Sequence, residues 1–123
     1  TQDPLVSNRG IGGNVYFGIS GGKAFLYQNG CSPPAINGNI PINDDQWHLY
    51  ALVRSSIDTT GKMYVDSILD KTGVQASCLA QTGDSFAISH DKDNNEYFPG
   101  SIDEVKVYNR ALTAAEILNE YNS

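Results

Sequence analysis

Residues 14–28 read NVYFGISGGKAFLYQ, and this stretch predicts a β-hairpin and with it an all-β fold. Apolar residues alternate on both sides of Gly21-Gly22, and paired glycines supply the positive φ angles that a two-residue hairpin turn needs. The turn sets a register that pairs Ile19 with Ala24, Phe17 with Leu26, and Tyr16 with Tyr27.

The two faces of this hairpin differ in character. The first face is aliphatic and consists of Val15, Phe17, Ile19, Ala24 and Leu26, whereas the second carries Tyr16, Gly18, Phe25 and Tyr27. Both faces are apolar enough to be covered, so the hairpin lies in a sandwich or lines a groove.

The rest of the chain repeats short apolar runs between turn residues, a pattern typical of all-β proteins. Turn dipeptides interrupt residues 29–38. The further predicted strands are 47–54, expected to be buried on both faces, then 62–66, 75–79, 85–90 and 101–108. Thr113 and Glu116 have the spacing of a capping box, which predicts one short C-terminal helix over 113–121.

Length and composition exclude several classes of protein. The chain has 123 residues, 18% of them charged, and a net charge of −6. This length indicates a single domain, and the acidic balance disfavours nucleic-acid binding because it repels phosphates. No apolar run reaches the length of about 18 residues that indicates a membrane span, so no membrane insertion is expected.

The two cysteines, Cys31 and Cys78, have no zinc-ligand spacing. A disulfide between them is the leading interpretation, and two unpaired buried thiols are the alternative. A disulfide would place the protein in an oxidising compartment, which is extracellular or at the cell surface.

Several motifs resemble the LamG-like jellyroll family. DQWH at 45–48, ALVR at 51–54 and MYVD at 63–66 are similar to its central hairpin, and FPGSIDEV at 98–105 with YNRALT at 108–113 is similar to its C-terminal signature. The family belongs to the concanavalin A-like lectin/glucanase fold, with pentraxins and laminin G domains as relatives. The resemblance implies an antiparallel jellyroll β-sandwich with one short C-terminal helix, as a single domain over residues 1–123.

Two departures from the family stand out. Ser67 occupies a turn position where the family has glycine. Family members also begin with further strands before the segment that matches residues 5–10, so we expect 1–123 to be the C-terminal part, about two-thirds, of a full domain. A second chain would then supply the missing strands, because open sheet edges invite pairing. The alternative is a chain that begins late and closes its sheets differently.

Catalysis is not expected. Glucanases of this fold carry paired acids spaced Glu-x-Asp-x-Glu on one strand, and none of the glutamates at 96, 104, 116 and 120 has that spacing. His48 and His90 lack an evident catalytic triad.

Calcium binding has two candidate sites. Asp91, Asp93 and Asn95 have the D-x-D-x-N spacing that places oxygen ligands on one side of a loop, although the EF-hand glycine and glutamate are absent. The resemblance adds Asp103, because related domains hold calcium near this segment. The alternatives are a solvated loop for the first set and a carboxylate that caps backbone amides for Asp103.

Sugar binding by ring stacking is the other expectation. The candidate rings are Tyr16, Phe25 and Tyr27 on the hairpin and Tyr97 beside the acidic loop. The alternative for the first three is packing in the interior. Trp47 is expected to be a core anchor, and Arg110 to tether the helix turn to the sheet.

The leading functional hypothesis is a non-catalytic, extracellular carbohydrate-binding or adhesion module, stabilised by calcium. The first alternative is a protein–protein interaction or structural module of a larger secreted or surface protein, with a cell-surface protein as its partner. The second is an accessory domain of a secreted glycoside-active enzyme.

Overall fold

The computed structural model describes residues 2–7, 15–28, 30–55, 57, 59–74, 86–91 and 95–123. Within these ranges the chain forms short strands followed by one C-terminal helix. They are β1 (Gln2–Ser7), β2 (Val15–Ser20), β3 (Lys23–Gln28), β4 (Ala35–Pro41), β5 (Tyr50–Arg54), β6 (Thr60–Val65), β7 (Ile68–Val74), β8 (Ala87–Ile88), β9 (His90–Asp91), β10 (Glu96–Tyr97) and α1 (Ala114–Asn122).

The described strands pair antiparallel. One sheet has the order β4-β3-β2-β1-β8, a second has the order β5-β6-β7, and β9 pairs with β10 in a small hairpin. The predicted all-β class with one short C-terminal helix is confirmed.

The hairpin of β2 and β3 has the predicted register. Ile19 lies opposite Ala24, Phe17 opposite Leu26 and Tyr16 opposite Tyr27. The turn glycines, Gly21 and Gly22, have φ angles of 59° and 75°, a conformation that costs glycine nothing.

A core cluster lies between the two larger sheets. Its buried members are Ala24, Leu26 and Ile36 from the five-stranded sheet and Met63 and Val65 from the three-stranded sheet. Full burial of one such large side chain contributes about 1.5–3 kcal/mol. The two sheets therefore hold each other through aliphatic contacts.

Two glycines make room for Ile36 in this core. Gly61 and Gly73 face each other across β6 and β7. A Cβ atom on Gly73 would lie 2.5 Å from Ile36 Cδ1, and one on Gly61 would lie 3.1 Å from the same atom. The glycine pair thus forms the recess that receives the isoleucine.

The side chain of Asp70, on β7, also joins the two sheets. Its Oδ1 accepts hydrogen bonds from the backbone N–H groups of Asn39 at 2.7 Å and Ile40 at 2.9 Å, both on β4. A Cβ atom on Gly38 would collide with Asp70 Oδ2. The carboxylate therefore closes the corner between two edge strands, and glycine at 38 lets it approach.

The structure corrects three strand predictions and one turn prediction. The predicted strand 47–54 begins only at Tyr50, and the expected core anchor Trp47 is 71% exposed. Residues 37–38, predicted as a turn, lie inside β4. The segment predicted at 85–90 is divided into β8 and β9 at Ser89, whose φ is 64°. Residues 101–108 form no strand. The predicted strand 75–79 lies outside the described residues.

The turn between β6 and β7 keeps a left-handed backbone at Ser67, the position where the family has glycine. Asp66 and Ser67 have φ angles of 50° and 68°, so both central residues adopt the left-handed conformation of a type I′-like turn. Asp66 is among the residue types that tolerate this conformation, and its side chain makes further bonds described below.

The C-terminal helix begins at the predicted capping box. Thr113 Oγ1 accepts a hydrogen bond from Glu116 N at 3.2 Å, and Thr113 N donates to Glu116 Oε2 at 3.0 Å. Arg110 was expected to tether the helix turn to the sheet, but its Nη1 lies 2.8 Å from Glu116 Oε2. Arg110 therefore binds the helix itself.

Candidate functional site

The β9–β10 hairpin carries Tyr97 and two acidic residues, Asp91 and Glu96. Tyr97 lies opposite His90, and Glu96 lies opposite Asp91. Hydrogen bonds attach the hairpin to β1. Ser7 Oγ donates to the His90 carbonyl at 2.8 Å, and Ser89 N donates to the Leu5 carbonyl at 2.9 Å. The small hairpin is thus fixed to the main sheet.

Tyr97 and His90 form a stacked pair. Their ring centroids are 4.6 Å apart and their planes are inclined by 13°. Tyr97 is nevertheless 60% exposed, and because His90 covers one face of the ring, the exposed surface lies on the other face and the edge. The imidazole thus supports one face of the Tyr97 ring and leaves the opposite face exposed to solvent.

The hairpin also carries oxygen-bearing side chains, and because successive residues of a strand point to opposite faces, Asp91 and Glu96 lie on the face away from the Tyr97 ring. Asp91 is fully buried, and Glu96 Oε2 is buried without a hydrogen-bond partner among the described residues. Asn95 Oδ1 accepts from the Tyr97 hydroxyl at 3.4 Å. Asp93, the third predicted ligand, lies outside the described residues. Sequence reasoning missed Glu96 as a neighbour of Asp91, because its role depends on the cross-strand register.

The predicted calcium ligands do not form a complete set in the described part of the chain. Within it, no three His, Cys, Asp or Glu side chains are grouped so that they could hold a metal ion. Asp103 is exposed, and its Oδ1 accepts a hydrogen bond from Glu104 N at 2.8 Å. This is the arrangement named as the alternative for Asp103, a carboxylate that caps a backbone amide.

Two of the other three predicted sugar-binding rings lie inside the molecule. Tyr16 is 0% exposed and Phe25 is 6% exposed, and their rings meet edge to face with centroids 5.8 Å apart. A ligand has no access to either ring. Tyr27 is half-buried on the same strand as Phe25. Tyr16 and Phe25 therefore pack in the interior, which is the alternative to sugar binding given for them above.

Cys31 is buried, and no free cysteine is found within the described ranges. Cys78 lies outside them, so the pairing of the two residues stays a prediction.

His48 lies between two aspartates, an arrangement that the sequence analysis did not predict. Its Nδ1 lies 2.7 Å from Asp66 Oδ2, and its Nε2 lies 2.8 Å from Asp44 Oδ1. The hydrogen bonds with Asp66 and Asp44 raise the pKa of His48, and its partial burial lowers it by less. The aspartate four residues before His48 is a sequence signal for the contact with Asp44. The contact with Asp66 could not be predicted in this way, because the fold brings the two residues together.

A family model described as the concanavalin A-like lectin/glucanases superfamily, of laminin G type, matches residues 1–118. The chain belongs to this superfamily, as the sequence motifs indicated. A search of curated proteins found no match.

A solved structure similar to this chain is that of an S-layer domain-containing protein, residues 221–444, from Clostridium thermocellum. The two are 17% identical with a TM-score of 0.48, over 89% of this chain and 57% of the other. This chain therefore spans little more than half the length of that structure.

The described ranges contain no helix with the length and apolar character needed to span a membrane.

Proposed function

We propose that this chain is a non-catalytic carbohydrate-binding or adhesion module of an extracellular or cell-surface protein, and that it binds sugar on the open face of Tyr97. The observation that carries the proposal is the Tyr97–His90 stack, in which a ring that is 60% exposed is held flat by a second ring. Membership of a superfamily of lectins and glucanases supports the same class of ligand.

The chemistry of the surroundings favours a neutral sugar. Pyranose rings present apolar C–H faces that pack on an aromatic ring, and their hydroxyl groups donate to carboxylate and amide oxygens. Asn95 supplies an amide oxygen at the ring edge. The net charge of −6 disfavours sulfated and uronic acid sugars.

The glutamates of the C-terminal region support a non-catalytic role. Glu116 bonds Arg110 and Thr113, and Glu120 bonds Lys106 Nζ at 2.6 Å. These contacts lower the pKa of both carboxyl groups, with the bond to Arg110 dominant for Glu116 and the bond to Lys106 dominant for Glu120. Carboxyl groups held ionised in this way are poorly suited to act as general acids near neutral pH.

A glycan array tests the proposal. The native chain should bind neutral glycans, and Tyr97→Ala should weaken that signal while Tyr97→Phe keeps it, because the ring face rather than the hydroxyl makes the contact. Tyr121→Ala is the matched control, since Tyr121 is also an exposed tyrosine but lies on α1. Equal binding by Tyr97→Ala and the native chain would refute the assignment.

We also propose that calcium stabilises this hairpin. Asp91 and Glu96 lie opposite each other, and Glu96 Oε2 is buried without a hydrogen-bond partner among the described residues. A cation would supply that partner, with Asp91, Glu96 and Asn95 as oxygen ligands, Asp93 in the same segment of the sequence, and further oxygens needed to reach the usual six to eight.

Melting temperatures in millimolar calcium and in chelator test this. At a hundredfold excess over Kd, binding adds about 2.7 kcal/mol to the free energy of unfolding. The increase should vanish in the double variant Asp91→Asn with Asp93→Asn and persist in Asp103→Asn. Loss of the increase in Asp103→Asn alone would instead locate the ion at Asp103, and no increase in the native chain would contradict the calcium proposal.

A second candidate function is protein binding through residues 101–108. This segment exposes Val107 by 76% and Val105 by 40%, and among the described residues it forms no backbone–backbone hydrogen bond with another segment. Glu104 has a φ angle of 51°, so the part of the segment that is suited to add as a strand to the edge of a partner's sheet begins at Val105. Val105→Asp with Val107→Asp should abolish such a complex and leave glycan binding unchanged. Loss of glycan binding in this variant would remove the distinction between the two candidate functions.

A further inference from the structure

A second exposed ring, that of Trp47, lies on the loop 43–49 between β4 and β5. It is 71% exposed. An exposed indole forgoes the free energy that burial of a large apolar side chain provides, about 1.5–3 kcal/mol.

Backbone hydrogen bonds fix both ends of the loop. Ile42 N donates to the Gly22 carbonyl at 2.8 Å, directly before the loop. At its far end Leu49 N donates to Asp66 Oδ1 at 2.9 Å, and Asp66 N donates to the Leu49 carbonyl at 2.9 Å. The start of the loop is therefore attached to the β2–β3 turn, and its end is attached to the β6–β7 turn.

Side-chain bonds fix the middle of the loop as well. Asp44 Oδ1 accepts from Gln46 N at 3.1 Å and lies 2.8 Å from His48 Nε2, while the other imidazole nitrogen meets Asp66. The residues on both sides of Trp47 are thus bonded. A ring on a loop that is already ordered binds a ligand without the entropy cost of ordering that loop.

The neighbours of the indole indicate the class of ligand. Asp45 and Gln46 are exposed and offer hydrogen-bonding groups to a polar ligand. Asp44 and Asp45 precede Trp47 in the same loop. The carboxylates also repel an anionic ligand. An exposed aromatic ring on a loop that carries exposed polar side chains is suited to a neutral sugar.

We propose that the loop 43–49 is a second saccharide-binding surface, in which Trp47 stacks on neutral sugar rings and Asp45 and Gln46 bond their hydroxyl groups. It is independent of the Tyr97 face, because it belongs to a different loop and shares no residue with that site. Two such surfaces on one chain would let it bind a polysaccharide at two points and gain avidity.

Trp47 is the single tryptophan of the chain, so its fluorescence reports this loop alone. The experiment titrates the full chain with neutral oligosaccharides, namely gluco-, xylo- and manno-oligomers, and with heparin as the anionic control. We expect a saturable blue shift with at least one neutral series and none with heparin. A stacking contact is worth about 0.5–1.5 kcal/mol, so Trp47→Ala should weaken retention on the matching polysaccharide about twofold to tenfold.

Two variants separate this site from the other one. Trp47→Phe keeps a smaller ring and should lose less binding than Trp47→Ala, at an unchanged melting temperature. Tyr97→Ala should keep the fluorescence shift intact. Loss of sugar binding at the Tyr97 face is then distinguishable from loss of sugar binding at the Trp47 loop. The inference is overturned if no neutral series shifts the emission, if heparin alone shifts it, or if Trp47→Ala retains full binding. It is also overturned if the shift disappears in Tyr97→Ala.

Discussion

The sandwich and the C-terminal segment 101–123 are stabilised by different means. In the sandwich, Leu26 and Met63 are 0% exposed and lie between two sheets. In the segment, Ile117 is buried, but Val107 is 76% exposed and ion pairs such as Lys106–Glu120 provide the links. Exposed ion pairs contribute about 0–1 kcal/mol each, far less than a buried aliphatic side chain. The sandwich should therefore determine the global stability, and the segment should contribute little to it.

The largest expected effect follows from the core. Leu26→Ala should lower the free energy of unfolding by about 2–5 kcal/mol, because it removes buried methyl groups and leaves a cavity. Its counterpart in the segment, Val107→Ala, should change stability by less than about 0.5 kcal/mol. Urea unfolding measures both. Similar losses for the two variants would show that the segment belongs to the same cooperative unit as the core.

The hydroxyl of Tyr50 provides the next test. It accepts from Phe25 N at 2.9 Å and donates to the Gly18 carbonyl at 3.1 Å, and burial raises its pKa. Tyr50→Phe should cost about 1–3 kcal/mol, because two backbone groups lose their partner.

Tyr108→Phe is the matched control for Tyr50→Phe. The Tyr108 hydroxyl donates only to Glu120, at the surface, at 3.1 Å. An exposed bond of this kind contributes less than a buried one, so the loss should stay below about 1 kcal/mol. A loss for Tyr108→Phe that matched the one for Tyr50→Phe would contradict the assignment of the two hydroxyls.

The helix cap tests whether the segment unfolds on its own. Thr113→Ala removes the acceptor of Glu116 N and should cost the helix about 0.5–2 kcal/mol. Hydrogen exchange should become faster in α1 and stay unchanged in β2 and β3. Faster exchange in the strands as well would show that the two regions are coupled.

The smallest effect concerns the bonds of His48. Its bond to Asp66 joins the loop 43–49 to the β6–β7 turn, and its bond to Asp44 lies within the loop. Because these bonds raise the pKa of His48, their contribution is fully present below the usual pKa of about 6.5 and is lost as pH rises through the higher folded value. Stability should thus fall by at most about 1 kcal/mol between pH 6 and the mildly alkaline range. His48→Gln should remove this pH dependence, and an unchanged slope in that variant would contradict it.

Local sequence patterns predicted the features that depend on near neighbours. The Gly21-Gly22 turn fixed the register of β2 and β3, and the spacing of Thr113 and Glu116 gave the helix cap, because both are set within a few residues. The family motifs correctly indicated the concanavalin A-like superfamily.

Features that depend on distant contacts were missed or mistaken. Residues 37–38 looked like a turn, yet glycine stands there because Asp70 approaches from another sheet. The hydrophobic run that begins at Trp47 looked like a buried strand, but the bonds of His48 and Leu49 to Asp66 hold its first residues in a loop. The alternation in 101–108 predicted a strand, but a strand also needs a partner, and the described structure provides none.

The central claim is that the ring face of Tyr97 binds sugar, and isothermal titration of a glycan selected on the array tests it most directly. The native chain and Tyr97→Phe should bind with similar affinity. Tyr97→Ala should bind about twofold to tenfold more weakly, as expected for the loss of one stacking contact, while keeping the native melting temperature. Unchanged affinity in Tyr97→Ala, or binding lost equally in Tyr121→Ala, would contradict the claim.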